Sequence, residues 1–258
     1  MKGKPRHFPI KDPMKRRRPI NALPDLSIQR PTTLPPQANV TFTLTSTNRL
    51  DLLKITLDSF LKFNRYPIAK YIVIEDSGVE EAANGIRSQW PFMEVIFNNP
   101  RLGQTASLDL MYSKVETEYI FHCEDDWEFV EYDFIDKSMD ILAKPGNEKI
   151  IQVWPRGEFD TNMHPVLRDV RYRAKDTEYY LMSADYYLGH YGGFGFQPGL
   201  RRLRDWQLIG SYSSASEGIT EAAISKKYIA LGFKAATLIP KYMNHIGAGR
   251  HTDRDGLI

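Results

Sequence analysis

Three consecutive acidic residues, Glu124-Asp125-Asp126, follow directly on the apolar run Tyr119 to Cys123. Carboxylates at the first and third positions would reach one hard divalent cation such as Mg2+ or Mn2+, and a diphosphate would complete its coordination. Acid triplets also arise as solvated turns, so the position immediately after a buried strand is what raises this one. Three other polar segments share that setting: Thr45-Ser46-Thr47-Asn48-Arg49, Glu75-Asp76-Ser77-Gly78 and Asn98-Asn99-Pro100-Arg101-Leu102-Gly103. Each alone reads as an ordinary loop; four that converge make a site.

The elements that must bring them together are legible from Val40 onward, where strand-like apolar runs alternate with segments of helical period. That alternation is the signature of βαβ units and a parallel sheet. Val40 to Leu44, Tyr71 to Ile74, residues 93 to 97 and Tyr119 to Cys123 are predicted strands. Leu53, Leu57, Phe60 and Leu61 mark one helix, and Leu108, Met111 and Val115 another. In an open parallel sheet ligands bind beyond the carboxyl ends of the strands, where all four polar segments fall. No P-loop lysine pattern and no G-x-G-x-x-G follows the first strand, and Gly192-Gly193-Phe194-Gly195 comes too late in the chain. Nucleoside triphosphatase and dinucleotide-dehydrogenase readings therefore lose support.

Over roughly residues 40 to 250 these motifs resemble the GT-A-fold glycosyltransferases of the family-2 type. The resemblance implies an α/β fold of GT-A (Rossmann-like) type, a mostly parallel sheet with helices on both faces. It implies a nucleotide-sugar half at 39–130 and an acceptor half at 131–258. Thr45, Thr47, Asn48 and Arg49 match the first donor-binding segment. Glu75 and Asp76 match the second, where an acidic residue meets the base or ribose, and Arg101 and Gly103 fall in the third. Glu124-Asp125-Asp126 stands where the family carries its D-x-D motif, with Glu in place of the first Asp. Glu124 and Asp126 are then the expected ligands of Mn2+ or Mg2+, with Asp125 beside the donor. His245, in Asn244-His245-Ile246-Gly247-Ala248-Gly249-Arg250-His251, is the expected third metal ligand ahead of His251, and Arg250 and Arg254 could pair with diphosphate oxygens.

The family's base lies at the start of a late helix. Gly193 to Leu203 is predicted as a strand, a turn and a helix start, and a helix from Glu221 ends at Gly232, a favourable stop. The resemblance places the base at Glu221; Glu217, one turn earlier, is the competitor. It implies transfer of a sugar from a nucleoside diphosphate donor to a hydroxyl acceptor, with inversion. The acceptor could be a glycan or a lipid-linked group. An aromatic-rich middle containing Trp154, Tyr172, Tyr179, Tyr180, Tyr186, Tyr187, Tyr191 and Trp206, with His164 and His190, could stack on an acceptor sugar or equally be core. His122, inside a strand, and His7 receive no role.

Composition bounds the reading. The 258 residues, 42% hydrophobic and 26% charged, suit one large α/β domain or two small ones and exclude fibrous or wholly disordered chains. Residues 1–38 hold nine Lys/Arg against Asp12 and Asp25, a net of +7 that leaves −5 for the rest of a chain of net charge +2. With eight prolines this is predicted to be a disordered basic leader ahead of a single domain at 39–258. It predicts at most a weak, salt-sensitive contact with anionic membrane, and no nucleic-acid partner is expected. The absence of a signal-peptide pattern and the single Cys123 predict a reducing, cytoplasmic setting, soluble or peripheral at a membrane surface. The alternatives are a sugar nucleotidyltransferase, which would be expected to carry glycines after its first strand, and a non-catalytic nucleotide- or carbohydrate-binding module.

Overall fold

The computed structural model describes residues 38–161, 164–184, 194–215 and 220–250. The leader up to residue 37, Tyr186, Tyr187, His190, Tyr191, Glu217, His251 and Arg254 lie outside the described residues.

Strand β1 (Val40–Ser46) alternates Val40, Phe42 and Leu44 with Thr41 and Thr43; all five are buried, as a strand covered on both faces requires. The chain leaves it through Asn48, whose left-handed φ of 53° turns it into α1 (Leu50–Phe63). Leu53, Leu57 and Phe60 repeat at helical spacing and form the buried face of α1, with the Phe42 and Phe60 ring centroids 4.1 Å apart. Asn64 then accepts the Tyr66 N–H at 3.1 Å, and Pro67 prevents the helix from resuming. Next come β2 (Ile68–Glu75), α2 (Glu80–Gln89), β3 (Glu94–Phe97), α3 (Gln104–Tyr112) and β4 (Tyr119–Glu124). Helix α3 stops at Tyr112, so Val115 is buried in the turn beyond it rather than on the helix.

The second half contributes β5 (Trp127–Phe129), α4 (Phe134–Leu142), β6 (Ile150–Trp154), β7 (Val166–Ala174), β8 (Thr177–Met182), β9 (Gly199–Arg202), α5 (Leu203–Ile209), α6 (Tyr212–Ala215), α7 (Thr220–Ala230), β10 (Lys234–Leu238) and β11 (Met243–His245). One nine-stranded sheet runs in the order β3-β2-β1-β4-β9-β6-β10-β8-β7, and β5 pairs with β11 as a separate ribbon. Only β8 and β9 run against the other strands. One face packs against α1, α2 and α4 around Phe42, Phe60, Phe121 and Phe134. The other packs against α3, α6 and α7 around Ile120, Tyr112, Tyr212 and Tyr228. The expected architecture, a mostly parallel sheet with helices on both faces, is the one observed.

The segment 193–203 departs from its prediction. Its strand is Gly199–Arg202, later than expected, and it inserts antiparallel between β4 and β6. Pro198 has no N–H to give a ladder, which delays the strand. Gly199 then passes so close to β6 that a Cβ there would lie 2.6 Å from the Val153 carbonyl oxygen. Helix α7 ends as predicted: Gly232, with φ of +81°, donates to the Ile229 carbonyl while Phe233 donates to that of Tyr228, a Schellman closure. At the sheet edge, β7 loses register between Leu167 and Tyr172, which spoils the edge as a template for further strands. No helix among the described residues is long and apolar enough to cross a membrane.

Candidate functional site

The register of the parallel strands aligns the carboxyl ends that carry the polar segments. Thr45 lies beside Glu124 and Ser46 beside Glu75. The Asp76 N–H then donates to the Ser46 carbonyl (2.9 Å) and the Asn98 N–H to the Glu75 carbonyl (3.0 Å), so the four loops start side by side.

Two of the acidic residues hold these loops in shape. Buried Glu75 accepts the Asn48 and Ser77 N–H groups on Oε1, each at 3.0 Å, while its Oε2 is buried without a partner. Asp76 accepts the Leu102 and Gly103 N–H groups, both at 2.8 Å, and the Asn98 side-chain amide at 2.8 Å. The Arg101 Nε stands 3.6 Å from the same carboxylate. Gly103 takes φ of +85°, a conformation glycine adopts freely, and this lets the loop turn its N–H toward Asp76. Asp76, Arg101 and Gly103 are thus assembled around one another.

The acid triplet divides into three environments. Asp125 points back into the protein and pairs with the Arg49 guanidinium, which also donates through Nε at 3.2 Å; the Thr47 N–H adds a bond at 3.3 Å. Burial outweighs the Arg49 charge and lifts the Asp125 carboxyl to about 6. Asp126 meets Arg49 Nη1 at 3.0 Å and His245 Nε2 at 3.4 Å through Oδ2, while Oδ1 is buried and unpartnered. Burial pushes Asp126 up, but the His245 hydrogen bond and the Arg49 charge outweigh it and hold the group below its ordinary value. Glu124 is half-buried and accepts the Trp127 indole N–H at 3.3 Å and the Gln104 amide at 3.4 Å. Burial, then the charges of Asp126 and Glu221, raise it well above the carboxylate range.

His245 reaches Asp126 from more than a hundred residues away because β5 and β11 set His245 opposite Trp127. The two rings lie 4.9 Å apart. The chain then folds across the triplet: the Ile246 N–H donates to the Asp126 carbonyl at 2.9 Å, and Gly247 passes so close that a Cβ would stand 2.2 Å from Asp126 Oδ2. Gly247 is therefore required for close approach; the turn itself falls at Gly249, with φ of +77°. Arg250 secures the end by pairing with Asp51 at 2.5 and 3.1 Å while its carbonyl accepts from Arg49 at 2.9 Å.

Glu221, in the first turn of α7 and near enough for its charge to act on Glu124, accepts the Phe196 N–H at 2.5 Å. Arg156 links the two regions: it is buried, stacked 4.6 Å from the Trp127 ring, bonded to Gln197 and, at 2.9 Å, to Asp160. Its own pKa is lowered by burial, against the opposing charges of Asp160, Glu124 and Glu221.

The sequence did not single out Arg156, and Gln104 and Gln197, which fall inside the third donor segment and the segment before the base, received no role. Arg156 follows the carboxyl end of β6, so extending the strand-end rule to Ile150–Trp154 would have found it. Trp154 is buried with its ring over Gly195 and packed edge-on to His164, and Tyr179 is buried too, which removes both from the set of acceptor-stacking aromatics. His122 lies in the core, its Nδ1 3.3 Å from Thr43 Oγ1.

As a metal site the donor set fits in part. Asp126 and His245 offer an unpartnered carboxylate oxygen beside an imidazole, chemistry suited to Mn2+ or Mg2+. Glu124 turns to the Trp127 indole, and among the described residues no three or more His, Cys, Asp and Glu side chains gather into a metal-binding group.

Solved structures share this architecture. The mannosyltransferase PcManGT from Pyrobaculum calidifontis, in complex with GDP-Man and Mn2+, superposes with a TM-score of 0.55 at 14% identity over 83% of this chain and 59% of that one. GalNAc-T7 with UDP, GalNAc and Mn2+ gives 0.57 at 14% identity over 80% of this chain and 43% of that one. The chain thus spans about half the length of these neighbours. No family model and no curated protein matches the sequence. The fold is that of the GT-A glycosyltransferases.

Proposed function

We propose that the chain is a glycosyltransferase that moves a sugar from a nucleoside diphosphate donor to a hydroxyl acceptor in the crevice between Asp126 and Glu221. The observation that carries this reading is the proximity of two acidic groups on a GT-A fold, where the Glu221 charge acts on Glu124. One is an acid triplet clasped by Arg49 and His245; the other is a carboxylate held by a backbone N–H. The neighbours' complexes with nucleotide and Mn2+ support the donor class and the metal.

Sugar transfer passes through an oxocarbenium-like state, so the site must receive negative charge on the leaving diphosphate and take a proton from the attacking hydroxyl. Asp126 and His245 would hold Mn2+ or Mg2+, which when bound supplies a Lewis acid for the leaving group. Arg49 is a fixed cation beside that region, and its guanidinium geometry suits phosphate oxygens; Arg156 is held by Gln197 and Asp160 on the side of Glu221. Thr45, Thr47, Asn48, Glu75, Asp76, Arg101, Gly103 and Asp125 shape the donor side, largely through backbone contacts that keep the loops rigid. Glu221 takes the acceptor proton, and attack from its side of the sugar gives inversion. Glu217 is the competing base.

The test is release of nucleoside diphosphate from a panel of nucleotide sugars, with and without Mn2+, for the wild type, Asp126→Ala, Glu221→Gln and Glu217→Gln. The expected result is metal-dependent release lost in Asp126→Ala and reduced at least 100-fold, on the order of general-base effects, in Glu221→Gln. Full activity of Asp126→Ala removes the metal assignment. Loss in Glu217→Gln alone moves the base to Glu217, and pyrophosphate release from nucleoside triphosphates would make the chain a nucleotidyltransferase.

A further inference from the structure

Among the described residues, Arg201 is a buried cation without a carboxylate partner. It lies in β9, 1% exposed, opposite Ile120 of β4 and Gln152 of β6. Among the described residues it forms no ion pair; its Nε and Nη1 lie outside hydrogen-bond geometry, and the Tyr212 hydroxyl interacts with its guanidinium. Its neighbours do not neutralise it. Burial pushes the Tyr112 and Tyr212 hydroxyls up, so they stay protonated, and burial with the Arg201 charge pushes His122 down, so it stays neutral. The guanidinium rests over the Phe194 ring at 5.2 Å. An apolar side chain of similar length would fill this space without the desolvation penalty.

The hydrogen bonds it does make indicate what the charge is for. Nη2 donates to the carbonyls of Gly195 (3.4 Å) and Gln197 (3.3 Å), the two residues flanking Phe196. The Phe196 N–H donates to Glu221, and the Gln197 side chain accepts from Arg156, which Asp160 also holds. The loop has little slack in front, because a Cβ on Gly195 would lie 3.0 Å from the Trp154 ring and 3.5 Å from Glu221 Oε1. Arg201 therefore grips from behind a three-residue loop that contacts both Glu221 and Arg156 from its front.

We propose that Arg201 is a positioning residue for Glu221 and Arg156, acting through the 195–197 loop without touching substrate. This rests on the glycosyltransferase reading, with Glu221 as the base. The donor-side carboxylates and histidine take their direct contacts elsewhere: Asp125, Asp126 and His245 are held by Arg49 and the β5–β11 ribbon. Loss of Arg201 should therefore impair turnover and leave donor binding intact, whereas a general weakening of the fold would affect both.

The experiment compares wild type, Arg201→Met and Arg201→Lys in kcat, donor KM, nucleoside diphosphate affinity and thermal unfolding. In folded Arg201→Met, kcat should fall about 10- to 100-fold, the cost of a small misplacement of reacting groups. Donor KM and diphosphate affinity should stay within about twofold of wild type. Arg201→Lys keeps a cation and one reach to the carbonyls and should recover part of the loss. Unchanged kcat in folded Arg201→Met overturns the proposal, as does a parallel loss of kcat and diphosphate affinity. Should Arg201→Met fail to fold, Arg201→Lys decides by the same split: reduced kcat with intact donor affinity supports the proposal, and either of the other results overturns it. An inactive wild type would instead remove the glycosyltransferase reading itself.

Discussion

Replacing Gly247 with alanine drives a methyl group into Asp126. The added Cβ would stand 2.2 Å from Oδ2, 2.7 Å from Cγ and 2.8 Å from Cβ, where ordinary contact begins at 3.4 Å. Something must therefore retreat by about 1 Å. The carboxylate cannot do so freely, since Arg49 holds it at 3.0 Å and Ile246 holds the Asp126 carbonyl at 2.9 Å. The chain from Ile246 to Arg250 must lift, or His245 and Asp126 must separate. Overpacking of this kind costs about 1–3 kcal/mol, and a reacting-group displacement near 1 Å costs on the order of 100-fold in turnover. Gly146→Ala is the control: its φ of +91° strains alanine, but no atom lies within 4 Å, so it should lose about 1–2 kcal/mol and no activity. Turnover of the best nucleotide sugar, nucleoside diphosphate affinity with Mn2+ and urea unfolding together read the outcome. Gly247→Ala that turns over within about twofold of wild type would refute the packing argument, as would an equal loss of turnover in Gly146→Ala.

Arg49→Met leaves the nearly fully buried Asp125 and the adjacent Asp126 without their shared cation, and breaking a buried pair in this way costs about 3–5 kcal/mol. Urea unfolding should show that loss, and a change under about 1 kcal/mol would mean that the clasp does not hold the triplet. His122 is depressed well below its ordinary value by burial, so the unfolded chain takes up its proton first as pH falls. Its contribution is complete above about pH 6.5 and is lost progressively below it, with a limiting slope of about 1.4 kcal/mol per pH unit. Unfolding free energies at pH 7.5, 6.5 and 5.5 should converge between wild type and His122→Asn as the pH drops; parallel curves would contradict the assignment.

What the sequence displayed and what it concealed divide along sequence separation. The strands β1 and β4 are legible because both faces are covered and the runs are continuously apolar or β-branched, and the four polar loops follow from where parallel strands end. The end of α7 is legible because Gly232 serves a local Schellman closure. The β5–β11 ribbon is not, since three-residue strands carry no periodicity, and only their pairing brings His245 to Asp126. Nor is β9: Arg201-Arg202 in an otherwise short apolar stretch resembles a solvated turn, yet both guanidiniums are buried. Arg202 ends among the Ile150, Leu142 and Asn147 carbonyls. Arg49 was expected to face the donor; its pairing with Asp125 and Asp126 is a long-range contact that no local pattern could signal.

Calorimetric titration of UDP and GDP into the wild type and into Asp126→Asn, each with and without Mn2+, tests the central claim most directly. The crevice described here predicts that at least one nucleoside diphosphate binds the wild type, that Mn2+ strengthens the binding and that Asp126→Asn abolishes the metal's contribution. No binding of either diphosphate to folded protein, or binding indifferent to both Mn2+ and Asp126, would contradict it.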